Sequence, residues 1–200
     1  IDKTLVDDQS EDGEIQVKGP NLMLGYHNKP EITKEVFTED GWLKTGDRGK
    51  LDSDGFLYIT GRFKEQFKLE NGKYVFPSAI EEDIVLLPYI ETAMIYGEGK
   101  PYNICIVVPD KTILQKTAEL LDIKTDVDTL IHSPVVQEFV AIEIRKSLKE
   151  KYGGYEIPKK FIFTDTPFTV ANGFLTQTLK LKRRMVVEKF KNEIDALYQE

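Results

Sequence analysis

Near Gly61-Arg62 the apolar residues of this chain change their period, and few arrangements of backbone accommodate such a change. Before that point short apolar runs alternate with turn signals. Ile15 and Val17 share one face of Gly13-Glu14-Ile15-Gln16-Val17-Lys18-Gly19-Pro20, as a strand requires. Asp52-Ser53-Asp54-Gly55 separates Gly49-Lys50-Leu51 from Phe56-Leu57-Tyr58-Ile59-Thr60, and Asp-Gly between apolar runs predicts a hairpin. After that point helical and strand patterns mix. Ser78 and Glu81 have capping-box spacing, and Ile80, Ile84 and Leu87 then recur at helical intervals up to Pro88. Thr92 to Tyr96 and Asn103 to Val108 read as antiparallel strands around Gly97-Glu98-Gly99-Lys100-Pro101. A helix is expected from about Thr112 to Leu121. Pro134 opens a longer one, with Val136, Val140, Ile144 and Leu148 on one face, ending at Gly153-Gly154. Phe161 to Thr164 reads as a strand, Asn172 to Lys180 as a polar loop, and Val186, Phe190, Ile194 and Leu197 as one closing helix. The fold class is α+β, with a β-rich segment at 1–63 and a compact α+β domain at 64–200.

With 200 residues, 40% of them apolar, the chain has enough side chains for one good core or two small ones. The net charge of −7, with both signs interleaved, argues against a nucleic-acid surface. The exception is the basic cluster of Lys180, Lys182, Arg183, Arg184, Lys189 and Lys191, which could meet phosphates but reads first as the wet side of a helix. The single cysteine, Cys105, lies in an apolar run and is expected to be buried and reduced, which points to a cytoplasmic setting. No apolar run approaches the ~20 residues of a membrane-spanning helix, so any membrane association is expected to be peripheral. The chain begins Ile1-Asp2-Lys3, without an initiating methionine, as a piece of a longer polypeptide would.

Several chemistries lack their residues. His27, His132 and Cys105 stand apart with no ligand spacing, so no metal site is expected. No nucleophile elbow presents a serine or cysteine. Gly41 to Gly46 has the glycine spacing of a phosphate loop, but Asp47-Arg48 follows where Lys and Ser/Thr are required. The aspartates of the hairpin turn lack the remaining ligands of a calcium loop.

What remains is a carboxylate and a guanidinium. Thr45-Gly46-Asp47 and Gly61-Arg62 bracket the hairpin, so Asp47 and Arg62 can converge at its open end. Such a pair is either a surface ion bridge or a receptor for vicinal hydroxyls, since a carboxylate accepts two hydrogen bonds and an arginine orders it.

The order of short motifs goes further. Gly13-Glu14-Ile15, Gly25-Tyr26, Pro30-Glu31-Ile32-Thr33, Gly41-Trp42-Leu43-Lys44-Thr45-Gly46-Asp47, Asp54-Gly55-Phe56, Gly61-Arg62-Phe63-Lys64-Glu65 and Asn71-Gly72-Lys73-Tyr74-Val75-Phe76-Pro77 occur in sequence. That succession resembles the adenylate-forming enzymes, a superfamily of acyl-CoA synthetases, luciferases and adenylation domains. Phe67-Lys68-Leu69-Glu70-Asn71-Gly72 and Leu175-Thr176-Gln177-Thr178-Leu179-Lys180-Leu181-Lys182-Arg183 resemble the long-chain fatty acyl-CoA synthetase branch most closely.

By that resemblance the parent enzyme joins a fatty acid to CoA with ATP and Mg2+ through an acyl adenylate. Asp47 would hold the ribose hydroxyls of ATP with help from Arg62. Lys64 would sit at the hinge about which a carboxy-terminal lid turns. Lys180 would enter the site for adenylation, and Lys68, on another face of the lid, for attack by the CoA thiol. Gly72 would let the pantetheine arm pass. Glu65 stands where Asp is commoner, Gln177 replaces a usual proline, and Leu179 stands where shorter-chain relatives carry glycine. The phosphate loop, the magnesium-binding segment and the acyl tunnel belong to an amino-terminal domain, the partner this chain needs, so the chain is expected to be inactive alone. A fatty acyl-AMP ligase that loads a carrier protein, and a non-catalytic interaction module that kept the lid fold, are the rival readings.

Overall fold

The computed structural model describes residues 3–5, 12–120 and 127–199. The expected helix end at Leu121 and the amino-terminal Ile1-Asp2 lie outside them. The chain divides into two compact units, Ile1–Gln66 and Phe67–Glu200. Strand-rich and helix-rich regions follow one another in the α+β manner expected from the sequence.

The first unit is an antiparallel sheet of four strands in the order β1-β2-β3-β4. These are β1 (Lys3–Leu5), β2 (Gly13–Lys18), β3 (Leu43–Leu51) and β4 (Leu57–Arg62). The Asp-Gly turn forms where expected. Asp52 Oδ1 accepts the N–H groups of Asp54 and Phe56 at 3.0 and 2.9 Å, fixing the register of β3 against β4. The hydrogen bond from the Phe56 backbone is the largest cause holding the Asp52 carboxyl below its usual range. A short helix, α1 (Pro30–Val36), which the apolar pattern did not announce, joins β2 to β3.

The second unit opens with a small ribbon, β5 (Phe67–Lys68) paired with β6 (Tyr74–Val75), followed by α2 (Pro77–Ile84). The capping box did not form. Pro77 takes the first helical position, so Phe76 is the N-cap and Ser78 lies inside the first turn. The helix also stops at Ile84, short of Pro88. A three-stranded sheet follows, β7 (Ile90–Tyr96), β8 (Ile104–Pro109) and β9 (Lys160–Phe163), in the order β7-β8-β9. The first pair is antiparallel and the second parallel. Between β8 and β9 run α3 (Lys111–Leu120), α4 (Val127–Leu130) and α5 (Pro134–Leu148).

Alternation along these strands sorts the core into two layers. Ala93, Ile95, Cys105 and Val107 face a cluster containing Ile80, Ile84, Val140, Ile144 and Leu148 from α2 and α5. Met94, Ile104, Ile106 and Val108 face a second cluster, with Phe168, Phe174, Val186, Phe190 and Ile194. Each fully buried aliphatic side chain contributes about 1.5 to 3 kcal/mol of transfer free energy. Helix α5 ends at Leu148 rather than at Gly153, and Tyr152 then turns back to donate to Ala79 O and Asp83 Oδ2 on α2. The closing helix is two, α6 (Arg183–Lys189) and α7 (Lys191–Gln199). Phe190 sits between them at φ −99°, ψ 20° and is buried against Phe168. Among the described residues no helix is long and apolar enough to cross a membrane.

Candidate functional site

In the first unit the hairpin brings Asp47 and Arg62 opposite one another, and Arg62 Nε lies 2.9 Å from Asp47 Oδ1. The strand does not deliver this carboxylate by simple alternation. Gly46 takes φ +75°, a left-handed value that glycine adopts without steric cost, and Phe63 N–H donates to its carbonyl. Thr45 Oγ1 donates to Ile15 O at 2.8 Å and accepts Asp47 N–H at 3.0 Å. These bonds hold Asp47 at the wall of a cleft of about 500 Å³, also lined by Tyr26, Thr45, Arg62, Lys64 and Glu65. Asp47 keeps 27% of its side chain exposed and Arg62 keeps 47%, so both heads remain available to a ligand. Tyr26, whose ring is half exposed, supplies a flat apolar wall that the sequence reading did not assign. Lys64 lies in the turn after β4, two residues before the end of the first unit.

In the second unit Lys68 closes β5 opposite Tyr74, and its ammonium lies 5.5 Å from the Tyr74 ring. Its backbone is pinned to the turn between β7 and β8. Gly99 N–H donates to Lys68 O at 2.9 Å and Glu70 N–H to Lys100 O at 3.0 Å. Gly72 occupies the left-handed position of the turn between β5 and β6, at φ +84°. A Cβ there would meet only Lys68 Cε, at an ordinary 3.7 Å, so this glycine answers to backbone conformation rather than to local crowding.

Lys180 occupies the end of a tight loop whose base is an antiparallel bridge between Leu175 and Leu181. Thr176 closes that loop: its N–H donates to Lys180 O at 2.8 Å and its Oγ1 accepts Lys180 N–H at 3.0 Å. Leu179 is held at φ +59°, a left-handed value that glycine adopts far more readily than leucine. The Lys180 side chain is exposed, and no described residue forms an ion pair with it.

The two lysines belong to opposite layers. Phe67, Leu69 and Val75, around Lys68, pack into the cluster on one face of the β7-β8-β9 sheet. Phe174, Leu175 and Leu181, around Lys180, pack into the cluster on the other. Lys68 and Lys180 thus stand on segments packed against opposite faces of the sheet.

Of the basic cluster, Arg183 is engaged internally. Its Nη1 donates to Glu81 Oε1 at 2.6 Å, and Glu81 Oε1 also accepts Ile95 N–H at 2.7 Å. Neither residue was singled out for this pairing from the sequence, because 102 positions separate them. Among the described residues no group of three His, Cys, Asp or Glu side chains is placed to hold a metal ion.

Comparison with known proteins agrees in one direction. Residues 64–200 match the family described as the AMP-binding enzyme C-terminal domain. The chain is 36% identical over 200 residues to the long-chain-fatty-acid–CoA ligase FadD15 of Mycobacterium tuberculosis, covering 94% of this chain and 32% of that protein. The adenylation domain of a carboxylate reductase from Mycobacterium chelonae superposes with a TM-score of 0.73 at 30% identity, over 97% of this chain and 29% of that one. The O-succinylbenzoate coenzyme A synthetase of Bacillus subtilis, solved with AMP, superposes with a TM-score of 0.58 at 28% identity, over 87% of this chain and 30% of the other. The chain thus spans about a third of the length of these relatives.

Proposed function

We propose, from the premise that this chain belongs to the AMP-binding enzyme C-terminal domain family, that it is the carboxy-terminal part of an ATP-dependent long-chain fatty acid–CoA ligase. The reaction runs in two steps at one nucleotide pocket. A fatty acid carboxylate attacks the α-phosphate of ATP and pyrophosphate leaves; the CoA thiol then attacks the acyl adenylate and AMP leaves. In this reading the first unit is the end of the large catalytic domain and the second is its mobile lid.

The single observation that carries the reading is the placement of Lys68 and Lys180 on segments packed against opposite faces of one sheet. A lid with one cation on each side serves two half-reactions by turning, with Lys64 in the turn at which it pivots. Lys180 brings positive charge to the phosphoryl oxygens while two anionic reactants approach, which lowers both repulsion and transition-state energy. Lys68 is presented after rotation, for thioester formation, with Gly72 beside the path of the pantetheine arm. Asp47, held by Arg62, accepts hydrogen bonds from the ribose hydroxyls.

Magnesium has no cluster of ligands among the described residues, so no step here runs through it and its seat is assigned to the rest of the enzyme. The amino-terminal domain is the obligate partner, and the chain alone is inactive because two ribose contacts are too few to hold ATP. The test is an assay of the intact enzyme with fatty acids of graded length, comparing CoA with an acyl carrier protein as acceptor. Rapid CoA consumption with long-chain acids is the expected result. Transfer to the carrier alone, or no ATP–pyrophosphate exchange with any fatty acid, overturns the reading.

A further inference from the structure

Among the described residues the outer edge of β7 carries no neighbouring strand, because β7 is terminal in the order β7-β8-β9. At Ile95 the peptide groups that face this edge are taken by two side chains from opposite layers. Glu81 Oε1, from α2, accepts Ile95 N–H at 2.7 Å, and Arg183 Nη1, at the start of α6, lies 3.5 Å from Ile95 O. The same two side chains grip one another through both heads, Nη1 to Oε1 at 2.6 Å and Nη2 to Oε2 at 2.5 Å. Glu81 is 12% exposed and Arg183 27%, so this fork-to-fork pair is shielded from water more than the Asp47–Arg62 pair.

Arg183 is also three residues from Lys180. Between them Leu181 closes the bridge to Leu175, and Lys182 N–H donates to Phe174 O at 2.8 Å. Two ties connect the Lys180 loop to the sheet: the apolar contacts of Phe174, Leu175 and Leu181, and the Arg183–Glu81 pair. The apolar contacts set depth but leave sliding and twist open, whereas a bidentate ionic pair fixes orientation.

We infer that Glu81 and Arg183 are positioning residues for adenylation: a clamp around the β7 edge that holds the loop bearing Lys180 in the direction the first half-reaction needs. This rests on the role of Lys180 proposed above. The Lys68 backbone is held instead by bonds to the turn between β7 and β8, away from Ile95, so the clamp does not govern the thioester-forming step.

The experiment uses the intact enzyme with Glu81→Gln, Arg183→Gln, the double variant, and Lys180→Ala alongside. ATP–pyrophosphate exchange reads the first half-reaction, and acyl transfer from supplied acyl adenylate to CoA reads the second. Expected is a loss of tenfold or more in exchange for each single variant, no further loss in the double variant, and acyl transfer within about twofold of the parent. Equal loss in both half-reactions shows a merely structural tie and overturns the inference, as does unchanged exchange. If the glutamine variants do not fold, Arg183→Lys retains the charge while losing the fork; exchange as fast as in the parent then overturns the clamp. Unchanged exchange in Lys180→Ala defeats the reading of Lys180 itself, whereas a loss there with none at Glu81 or Arg183 defeats only the clamp.

Discussion

Asp47 and Arg62 face one another across β3 and β4, 2.9 Å apart at the lip of a cleft, with much of each head still open to water. An ion pair so exposed adds only about 0 to 1 kcal/mol to folding. Asp47→Ala in the intact enzyme should therefore leave the thermal unfolding midpoint within about 4 °C of the parent. If Asp47 receives the ribose as proposed, the KM for ATP should rise tenfold or more, since a ribose hydroxyl then loses a charged acceptor worth roughly 1.5 to 3 kcal/mol. Steady-state kinetics in ATP, beside a thermal melt, decides it: an unchanged KM would reduce the pair to surface chemistry.

Lys180 and Lys68 should separate by half-reaction. Lys180→Ala should slow ATP–pyrophosphate exchange on the order of 10²-fold, the usual consequence of losing one charge donor at a transition state. It should spare acyl transfer to CoA from supplied acyl adenylate. Lys68→Ala should do the reverse. Single-turnover measurements of each step make the comparison, and a Lys68 variant that fails chiefly in adenylation would contradict the turning-lid reading.

The parts of the fold that were legible in the sequence are those whose stabilising contacts are local or periodic. Val136, Val140, Ile144 and Leu148 lie on one stripe of α5, and all are buried. Asp52 to Gly55 announced the hairpin because the aspartate satisfies the turn's own N–H groups. Helix α1 left no stripe because it buries none of its residues. Strands β5 and β6, at two residues each, are too short to show a period. Glu81 has the spacing of a capping box, but its partner is remote in sequence, and local spacing cannot report a contact made across a sheet edge. The meeting of Asp47 and Arg62 was readable from hairpin geometry, whereas the roles of Lys64, Lys68, Gly72 and Lys180 came only through resemblance. Nothing in their spacing distinguishes them from exposed lysines and a turn glycine.

Two glycines should respond to alanine for different reasons. At Gly72 the backbone sits at φ +84° with room for a methyl group, so the cost is conformational, about 1 to 2 kcal/mol. At Gly49 an added Cβ would lie 2.6 Å from Tyr58 O and 2.8 Å from Ile15 Cδ1, against the backbone of the neighbouring strand. Gly49→Ala should therefore force β3 and β4 apart and destabilise by more than Gly72→Ala. Denaturant titrations of both variants compare them, and a larger loss at Gly72 would contradict the geometry.

Cys105 offers a direct report on the core. It lies wholly buried on β8, and burial pushes its thiol well above its ordinary 9.0, so the reactive thiolate is suppressed in the folded chain. A thiol reagent at neutral pH should label the native protein only as fast as it unfolds, and labelling should become immediate in denaturant. The same shift has a sign for stability. Above pH 9.0 the unfolded chain releases the proton and the folded chain keeps it, so stability falls as pH rises. The contribution is level below that pH, and Cys105→Ala should remove only its share of the alkaline slope, leaving the part set by tyrosines such as Tyr89 and Tyr96, whose hydroxyls burial also pushes up. Fast stoichiometric labelling of the native protein at neutral pH would show that β8 is not the sealed centre of the second unit.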